Sequence, residues 1–311
     1  MHKHVPVRTL HEEVAGVQYG ELDRYLVPLD APLARRWFTD VLYARRALER
    51  PHLQRVSDMK GIEQLVGLLD EVPGAVPRAA AVYVRDPMRT LGFFFEEGAD
   101  APSAVAKAPF SRMEAQTLEQ MRAFLPPALQ PTLPRVLRFH ESPRGQLLVM
   151  SMLPGRPAYV EMQVSLAPWR LVDAHFDGAV RWLAAFHDAT RTTATTTVNG
   201  VAVPHSAVHG TFSPRNVLHD AGGTIGVVDW EHFIPAGSPF NDLFEYAATY
   251  GSSYFRRATK EEAFHRTFAA NNRVSRAVQR YIREYATRVG LPHKVLLPAF
   301  DMWHAAGKLP L

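Results

Sequence analysis

Residues 205–245 read His-Ser-Ala-Val-His-Gly-Thr-Phe-Ser-Pro-Arg-Asn-Val-Leu, a short turn, Ile-Gly-Val-Val-Asp-Trp-Glu, and, after a further loop, Gly-Ser-Pro-Phe-Asn-Asp-Leu-Phe-Glu. The physical logic is a loop followed by a β-hairpin. His209-Gly210 opens a tight turn, and Asn216 follows five residues beyond Thr211. Val217-Leu218 begins a buried strand, Ala221-Gly222-Gly223 makes the hairpin turn, and Ile225 to Val228 is an apolar return strand with Asp229 at its end. Pairing the two strands brings an Asn and an Asp together at one end of the hairpin. These are hard oxygen ligands of the kind that suit Mg²⁺.

The spacing resembles that of the aminoglycoside phosphotransferase and choline kinase family, whose pattern is His-Gly-Asp, four residues, Asn, a hairpin, Asp on the returning strand, then Gly-x-Pro-x-x-Asp-Leu. His209, Gly210, Asn216, Asp229, Gly237, Pro239, Asp242 and Leu243 match it. Where the family has its catalytic Asp, this chain has Thr211. The resemblance implies an α+β, two-lobed, protein-kinase-like fold, with a small antiparallel β lobe and a mostly helical C-terminal lobe. It implies ATP or GTP as cofactor with Mg²⁺ held by Asn216 and Asp229, and it puts His209 and Thr211 in the catalytic loop.

Upstream, the chain is read against that expectation. Ala81 to Arg85, Leu91 to Glu96 and Ser103 to Pro109 are predicted strands, the first two joined by Asp86-Pro87-Met88-Arg89. That turn carries no glycine-rich phosphate loop. Lys107, on the third strand, is the only lysine between Lys60 and Lys260 in a chain that otherwise uses Arg. A strand lysine facing nucleotide phosphates acts as a compact charge on a long stem, which Arg replaces poorly. The bland alternative is a surface lysine on an edge strand. The helix that follows starts with Ser111 as N-cap and Glu114 at N3, a capping box, with Leu118, Met121 and Leu125 as its buried stripe. Glu114 has two available roles, the cap and an ion pair with Lys107.

Pro134 to Glu141 and Gly145 to Met152 form another predicted strand pair, and Leu153-Pro154-Gly155 breaks the sheet as a hinge. The resemblance implies that Ser151, Met152 and Leu153 meet the purine edge. Leu171 to Thr190 is a predicted helix with Phe176, Val180, Leu183 and Phe186 on one face. His187 near its end is read as a cation favoured by the helix dipole, and Thr192 to Val198 as a polar linker. The domain expectation is 1–74 as an N-terminal extension bracing the small lobe, 75–152 as the nucleotide-binding lobe, and 153–311 as the lobe with the catalytic loop, metal site and substrate helices. Within the extension, Tyr25 to Leu29 reads as a short strand, and Pro32 to Glu49 and Gly61 to Leu69 as helices; Val274 to Val289 is a helix of the C-terminal lobe.

Composition bounds the function. Hydrophobic residues make up 47% of the 311, so the chain folds around real cores. The absence of cysteine excludes disulfides, zinc thiolates and cysteine nucleophiles. Met1 to Glu13 is polar and His-rich with no signal-peptide core, and no run approaches the ~20 apolar residues of a membrane span. A cytoplasmic protein is expected. From Asn241 onward, eleven Lys/Arg face six Asp/Glu, so the formal charge of +4 is concentrated there. The surplus reads first as a solvated helical face and second as an attraction for an anionic acceptor or partner. It disfavours a polycationic aminoglycoside as acceptor. No basic stripe interleaved with aromatics points to nucleic acid.

Thr211 divides the functional expectation. A threonine hydroxyl accepts a hydrogen bond but cannot act as a base near neutral pH. Glu231, two residues past Asp229, is a spare carboxylate that could substitute. One reading is an ATP/GTP-dependent phosphotransferase acting on a hydroxyl of a small molecule such as a sugar, amino alcohol or antibiotic. A second is a pseudokinase that binds nucleotide or a protein partner without efficient transfer. A third is a kinase-fold enzyme in which Thr211 helps to move a different group.

Overall fold

The structure is a computed structural model that describes residues 19–22, 25–28, 64–65, 67–69, 71–72, 79–86, 89–96, 98–109 and 112–306. The expected helix over Pro32 to Glu49, the Ser111 cap and the middle of the Asp86–Arg89 turn lie outside these residues. The chain divides into two compact units. One holds the described residues up to Glu119 together with Pro134–Met152; the other holds Gln120–Leu133 and the chain from Leu153 onward.

The first unit is an antiparallel sheet. Its strands are β1 (Tyr19–Leu22), β2 (Tyr25–Pro28), β3 (Ala79–Asp86), β4 (Arg89–Phe95), β5 (Ala104–Ala108), β6 (Val136–Ser142) and β7 (Gly145–Ser151). They lie side by side in the order β1-β2-β3-β4-β5-β7-β6. β2 pairs onto β3 through Tyr25↔Tyr83 and Leu26↔Val82, so a segment far upstream in sequence extends the sheet. β5 sits between β4 and β7, with Lys107 opposite Leu91 on one side and Leu148 on the other. A central strand with neighbours on both sides needs short side chains where space is tight, and Ala104, Ala106 and Ala108 are all buried. Leu147, Leu148 and Val149 of β7 are wholly buried beside them. Helix α1 (Arg112–Phe124) follows β5, and its Leu118 and Met121 are buried on one face, at the spacing the sequence predicts.

The second unit is mostly helical. Its helices are α2 (Ala158–Val164), α3 (Val172–Ala189), α4 (Phe240–Tyr254), α5 (Lys260–Phe268), α6 (Arg273–Arg288) and α7 (Leu296–Ala305). Phe176, Val180, Leu183 and Phe186 of α3 are buried, at the positions the periodicity predicts. Each such side chain contributes about 1.5–3 kcal/mol relative to leaving it in water. Asn272 caps α6 by accepting from Ser275 N–H while Ser275 Oγ accepts from Asn272 N–H, a reciprocal capping box. Tyr281 of α6 meets Phe176 of α3 at 5.2 Å between ring centroids. A second aromatic cluster joins α3 to the loop segment: Trp182 stacks on Phe186 and Phe212, at 4.9 and 5.4 Å. Part of the basic surplus is neutralised locally, since Arg273 and Arg280 pair with Asp173, and Arg266 and Arg288 with Glu262 and Glu284.

Two short pairings correct the reading of the connecting segments. Thr195–Val198 is not a linker but strand β9, which pairs with β10 (Val201–Pro204) through a two-residue turn at Asn199-Gly200. Both turn residues have positive φ, 48° and 72°, as a primed turn requires. The signal was present in the Val-Asn-Gly-Val sequence, hidden by the surrounding threonines. The second pairing joins β11 (Ser206–Val208) to β14 (Ile234–Gly237), which closes the segment containing the loop and hairpin on itself.

Candidate active site

The loop after β11 is held from below by one carboxylate. Asp242 sits in the first turn of α4, where the helix dipole favours an anion, and it is wholly buried. Its Oδ2 accepts from His209 N–H at 2.7 Å and its Oδ1 from Gly210 N–H at 3.0 Å. These are charge-assisted bonds to backbone, each worth roughly 1.5–3 kcal/mol. Gly210 has φ of 84°, and a Cβ there would lie 2.3 Å from His232 O, so only glycine fits. Sequence reasoning matched Asp242 to a motif without giving it a task; its task is to clamp the loop.

His209 is fully buried against Trp230, 4.4 Å between ring centroids. Burial pushes its pKa down, against the raising influence of Asp242. Its Nε2–H donates to Val228 O at 2.9 Å. The neutral ring therefore presents a lone pair at Nδ1, which accepts from Thr211 N–H at 3.2 Å, with Thr211 Oγ1 at 3.3 Å. The imidazole thus braces the loop and the end of the hairpin at once.

The hairpin is β12 (Val217–His219) and β13 (Ile225–Val227), paired antiparallel with Val217 opposite Val227. β8 (Arg156–Pro157) adds a third strand on the β12 side. The register continues one step further, with Val228 N–H donating to Asn216 O at 3.0 Å, which sets Asn216 next to the residue before Asp229. Asn216 Nδ2 donates to Thr211 O at 3.0 Å and points Oδ1 the other way. Asp229 adopts φ 70°, ψ 60°, a left-handed conformation that few non-glycine residues occupy. Strain of this kind, on the order of 1–3 kcal/mol, is held where surrounding structure demands it and clusters at functional positions. The following Trp230 is buried, with Nε1–H donating to Val227 O at 2.9 Å, and this anchors the turn that orients Asp229.

The other anticipated residues fall as follows. Glu231 lies in the single turn after Asp229 and faces His232 Nε2 at 3.3 Å. In the first unit, Lys107 Nζ bonds Glu114 Oε2 at 2.6 Å, both side chains buried, so Lys107 is no chance surface residue and Glu114 takes the ion-pair role. Ser151 N–H donates to Arg135 O and Met152 N–H to Ser103 O, at 2.8 and 3.0 Å. A purine edge at this segment would therefore meet other backbone groups of it. Leu153, the first residue of the second unit, is buried against Gly226. His187 lies in the last turn of α3, where the sequence reading puts it, and is buried there, with Nδ1 bonded to Tyr285 OH at 2.7 Å and Nε2 3.6 Å from Asp242 Oδ2.

Among the described residues no group of three or more His, Cys, Asp or Glu could hold a metal ion by itself. Asn216 and Asp229 supply two hard oxygen donors, which fits a cation such as Mg²⁺ that keeps water and phosphate oxygens in its remaining positions. It does not fit zinc or another ion needing a full protein cage. No helix among the described residues is long and apolar enough to cross a membrane.

A small antiparallel sheet bearing a buried lysine–glutamate pair with the next helix, then a mostly helical unit with a clamped loop and a hairpin, defines a protein-kinase-like fold. No model of a known protein family matches the sequence, and no curated protein does. Among solved structures the chain is similar to the aminoglycoside phosphotransferase APH(3'')-Id from Streptomyces rimosus, at 15% identity and TM-score 0.50, over 78% of this chain and 98% of that one. An aminoglycoside-3'-phosphotransferase of type VIII aligns at 14% identity and TM-score 0.47, over 77% and 99%. A thermostable mutant of APH(4)-Ia aligns at 16% and 0.45, over 78% and 99%. At the first of these scores the likeness is one of fold: the chain has the kinase-like fold of the aminoglycoside phosphotransferases.

Proposed function

We propose that the chain binds ATP or GTP with Mg²⁺ and transfers the terminal phosphoryl group, slowly, to a hydroxyl of a small molecule. The observation that carries this reading is the hairpin register that pairs Asn216 with Val228, the residue before a left-handed Asp229. In the reading, Asn216 and Asp229 hold the cation, Lys107 contacts the nucleotide phosphates with Glu114 fixing its direction, and the 151–153 segment meets the base. The cation's chemistry would be neutralisation of phosphate charge.

The chain's own residues do the positioning. Asp242 clamps the loop, and His209 holds it to the hairpin through Nε2–H and Nδ1. Thr211 occupies the position of the family's catalytic base. Its hydroxyl orients an acceptor by hydrogen bonding but takes no proton at neutral pH. Phosphoryl transfer depends mostly on positioning and charge neutralisation, so the loss should slow the reaction, by roughly 10²–10⁴, without abolishing it. Thr211 is also the one observation favouring the alternative, a pseudokinase that binds nucleotide and regulates a protein partner.

The test is nucleotide binding measured beside turnover. ATP and GTP are each titrated with and without Mg²⁺ by thermal shift, and nucleoside diphosphate release is followed in the same samples. A Mg²⁺-dependent shift with slow release is expected. A shift without release selects the pseudokinase, and no shift with either nucleotide refutes nucleotide binding altogether.

A further inference from the structure

Thr211 stands where a catalytic base is expected, yet its own hydroxyl is paired with one. Among the described residues, Oγ1 has His209 Nδ1 at 3.3 Å and Asn216 Nδ2 at 3.4 Å. The amide nitrogen only donates, so the acceptor the loop offers to the hydroxyl proton is the imidazole. His209 can receive it. Its Nε2–H is committed to Val228 O at 2.9 Å, which leaves Nδ1 without a proton, and burial keeps the ring neutral. Thr211 N–H shares the same lone pair at 3.2 Å. A hydroxyl aimed at the bare nitrogen of a ring that a third group orients is the arrangement of an activated nucleophile. The 3.3 Å separation is long, as such contacts often are before substrate binds.

The hydroxyl also lies next to the proposed cation ligand. Asn216 Nδ2 donates to Thr211 O at 3.0 Å, and Oδ1 of the same side chain is the proposed donor to the cation. A cation and its phosphates at that oxygen would stand one side chain away from Thr211 Oγ1. Thr211 is half-buried, so its side chain is open on one side, whereas Ser213, the other hydroxyl of the loop, is buried. A small-molecule acceptor would compete for the same approach. Without one, Thr211 is the hydroxyl the loop itself presents.

We infer that Thr211 is a phosphorylation site, modified by the chain's own reaction with His209 as the base. The inference rests on the nucleotide reading of the site. Thr211 Oγ1 attacks the terminal phosphorus of ATP or GTP and forms the new P–O bond. The bond from that phosphorus to the bridging oxygen breaks, and its electron pair leaves with the nucleoside diphosphate. The hydroxyl proton passes to His209 Nδ1, which can hand it on to an oxygen of the new phosphate. A loose transition state asks little of the base, and the charge of Asp242 favours the imidazolium. The product adds a charge of about −1.5 to −2 beside Asn216, so each chain reacts once and then blocks its own loop.

The test reads the mass of the chain. Full-length protein, first cleared of phosphate with a phosphatase, is incubated with Mg²⁺ and ATP or GTP and no acceptor. The expected result is a single phosphate, mapped by peptide fragmentation to Thr211 and formed at a rate independent of chain concentration. Thr211→Val should lose it, Thr211→Ser should keep it, and His209→Asn should slow it on the order of 10²-fold. Nucleotide thermal shift in the same samples separates the two possible failures. A Mg²⁺-dependent shift with no phosphate on Thr211, or with phosphate only elsewhere, overturns the inference and leaves nucleotide binding standing. No shift and no phosphate removes both. A rate that rises with chain concentration, or one unchanged in His209→Asn, overturns it as well. Where His209→Asn does not fold, the mapping of the wild-type chain decides by itself.

Discussion

His219 provides a measurement whose size follows from its surroundings. It closes β12, is 9% exposed, and its Nε2 has no hydrogen-bond partner among the described residues. Its ring lies 4.6 Å from that of His175, which is itself bonded to Glu161 at 2.8 Å and to Tyr250 OH at 3.0 Å. Burial, with a smaller push from His175, lowers the His219 pKa from 6.5 to about 3. The folded protein therefore refuses a proton that the unfolded chain accepts throughout the window between those values. Stability from this residue is complete above pH 6.5 and is lost as pH falls towards 3. At pH 5 the unfolded chain lies about 1.5 pH units below its His pKa, so the loss is about 2 kcal/mol relative to pH 8. The assay is urea unfolding at pH 8 and pH 5 for wild type and His219→Leu. Titrating groups remote from His219, including the buried His209, cancel in the difference between the two pH effects, and only the neighbouring His175 is coupled to the change. The wild type should lose about 2 kcal/mol more than the variant on acidification. Equal losses would mean that His219 charges freely in the folded state, and the account of its burial would fail.

The remaining expectations concern the site. Asp229→Ala should abolish the Mg²⁺-dependent part of any nucleotide thermal shift while leaving unfolding cooperative; an undiminished shift would remove Asp229 as a ligand. Asp242→Ala leaves the His209 and Gly210 N–H groups without acceptors and should cost about 3–5 kcal/mol in urea unfolding; a loss below ~1 kcal/mol would show that the clamp is unimportant. Thr211→Asp should raise nucleoside diphosphate release on the order of 10²-fold; a fall instead would mean that Thr211 belongs to a different working mechanism. Lys107→Met removes the cation paired with a buried carboxylate and should destabilise by about 3–5 kcal/mol, with Glu114→Gln added to it restoring part of the loss; no recovery in the double variant would deny the pair.

Local chemistry carried much of this protein in the sequence itself. The strands around Lys107, the apolar stripe of α3 and the loop–hairpin order were legible because each rests on periodicity or turn residues within a few positions of one another. The pairing of Asn216 with Val228, one residue before Asp229, belongs to the same class, since a short hairpin of fixed register leaves its ends little choice. Asn199-Gly200 was equally local and was missed only because five threonines around it read as a polar linker.

Tertiary structure decided what depends on residues distant in the chain. Glu114 had two local roles open to it, and the 2.6 Å contact from β5 shows the ion pair, while the cap on Ser111 lies outside the described residues. Asp242 looked like a motif match and His187 like a helix-end residue; packing made the first a clamp for backbone 33 residues away and gave the second a buried partner in Tyr285. The neutral state of His209 and the left-handed turn at Asp229 likewise follow from burial and enclosure. The physical reason is common to all of them. A sequence states which groups can donate, accept or carry charge, but only the folded chain decides which are removed from water and which partner each then meets.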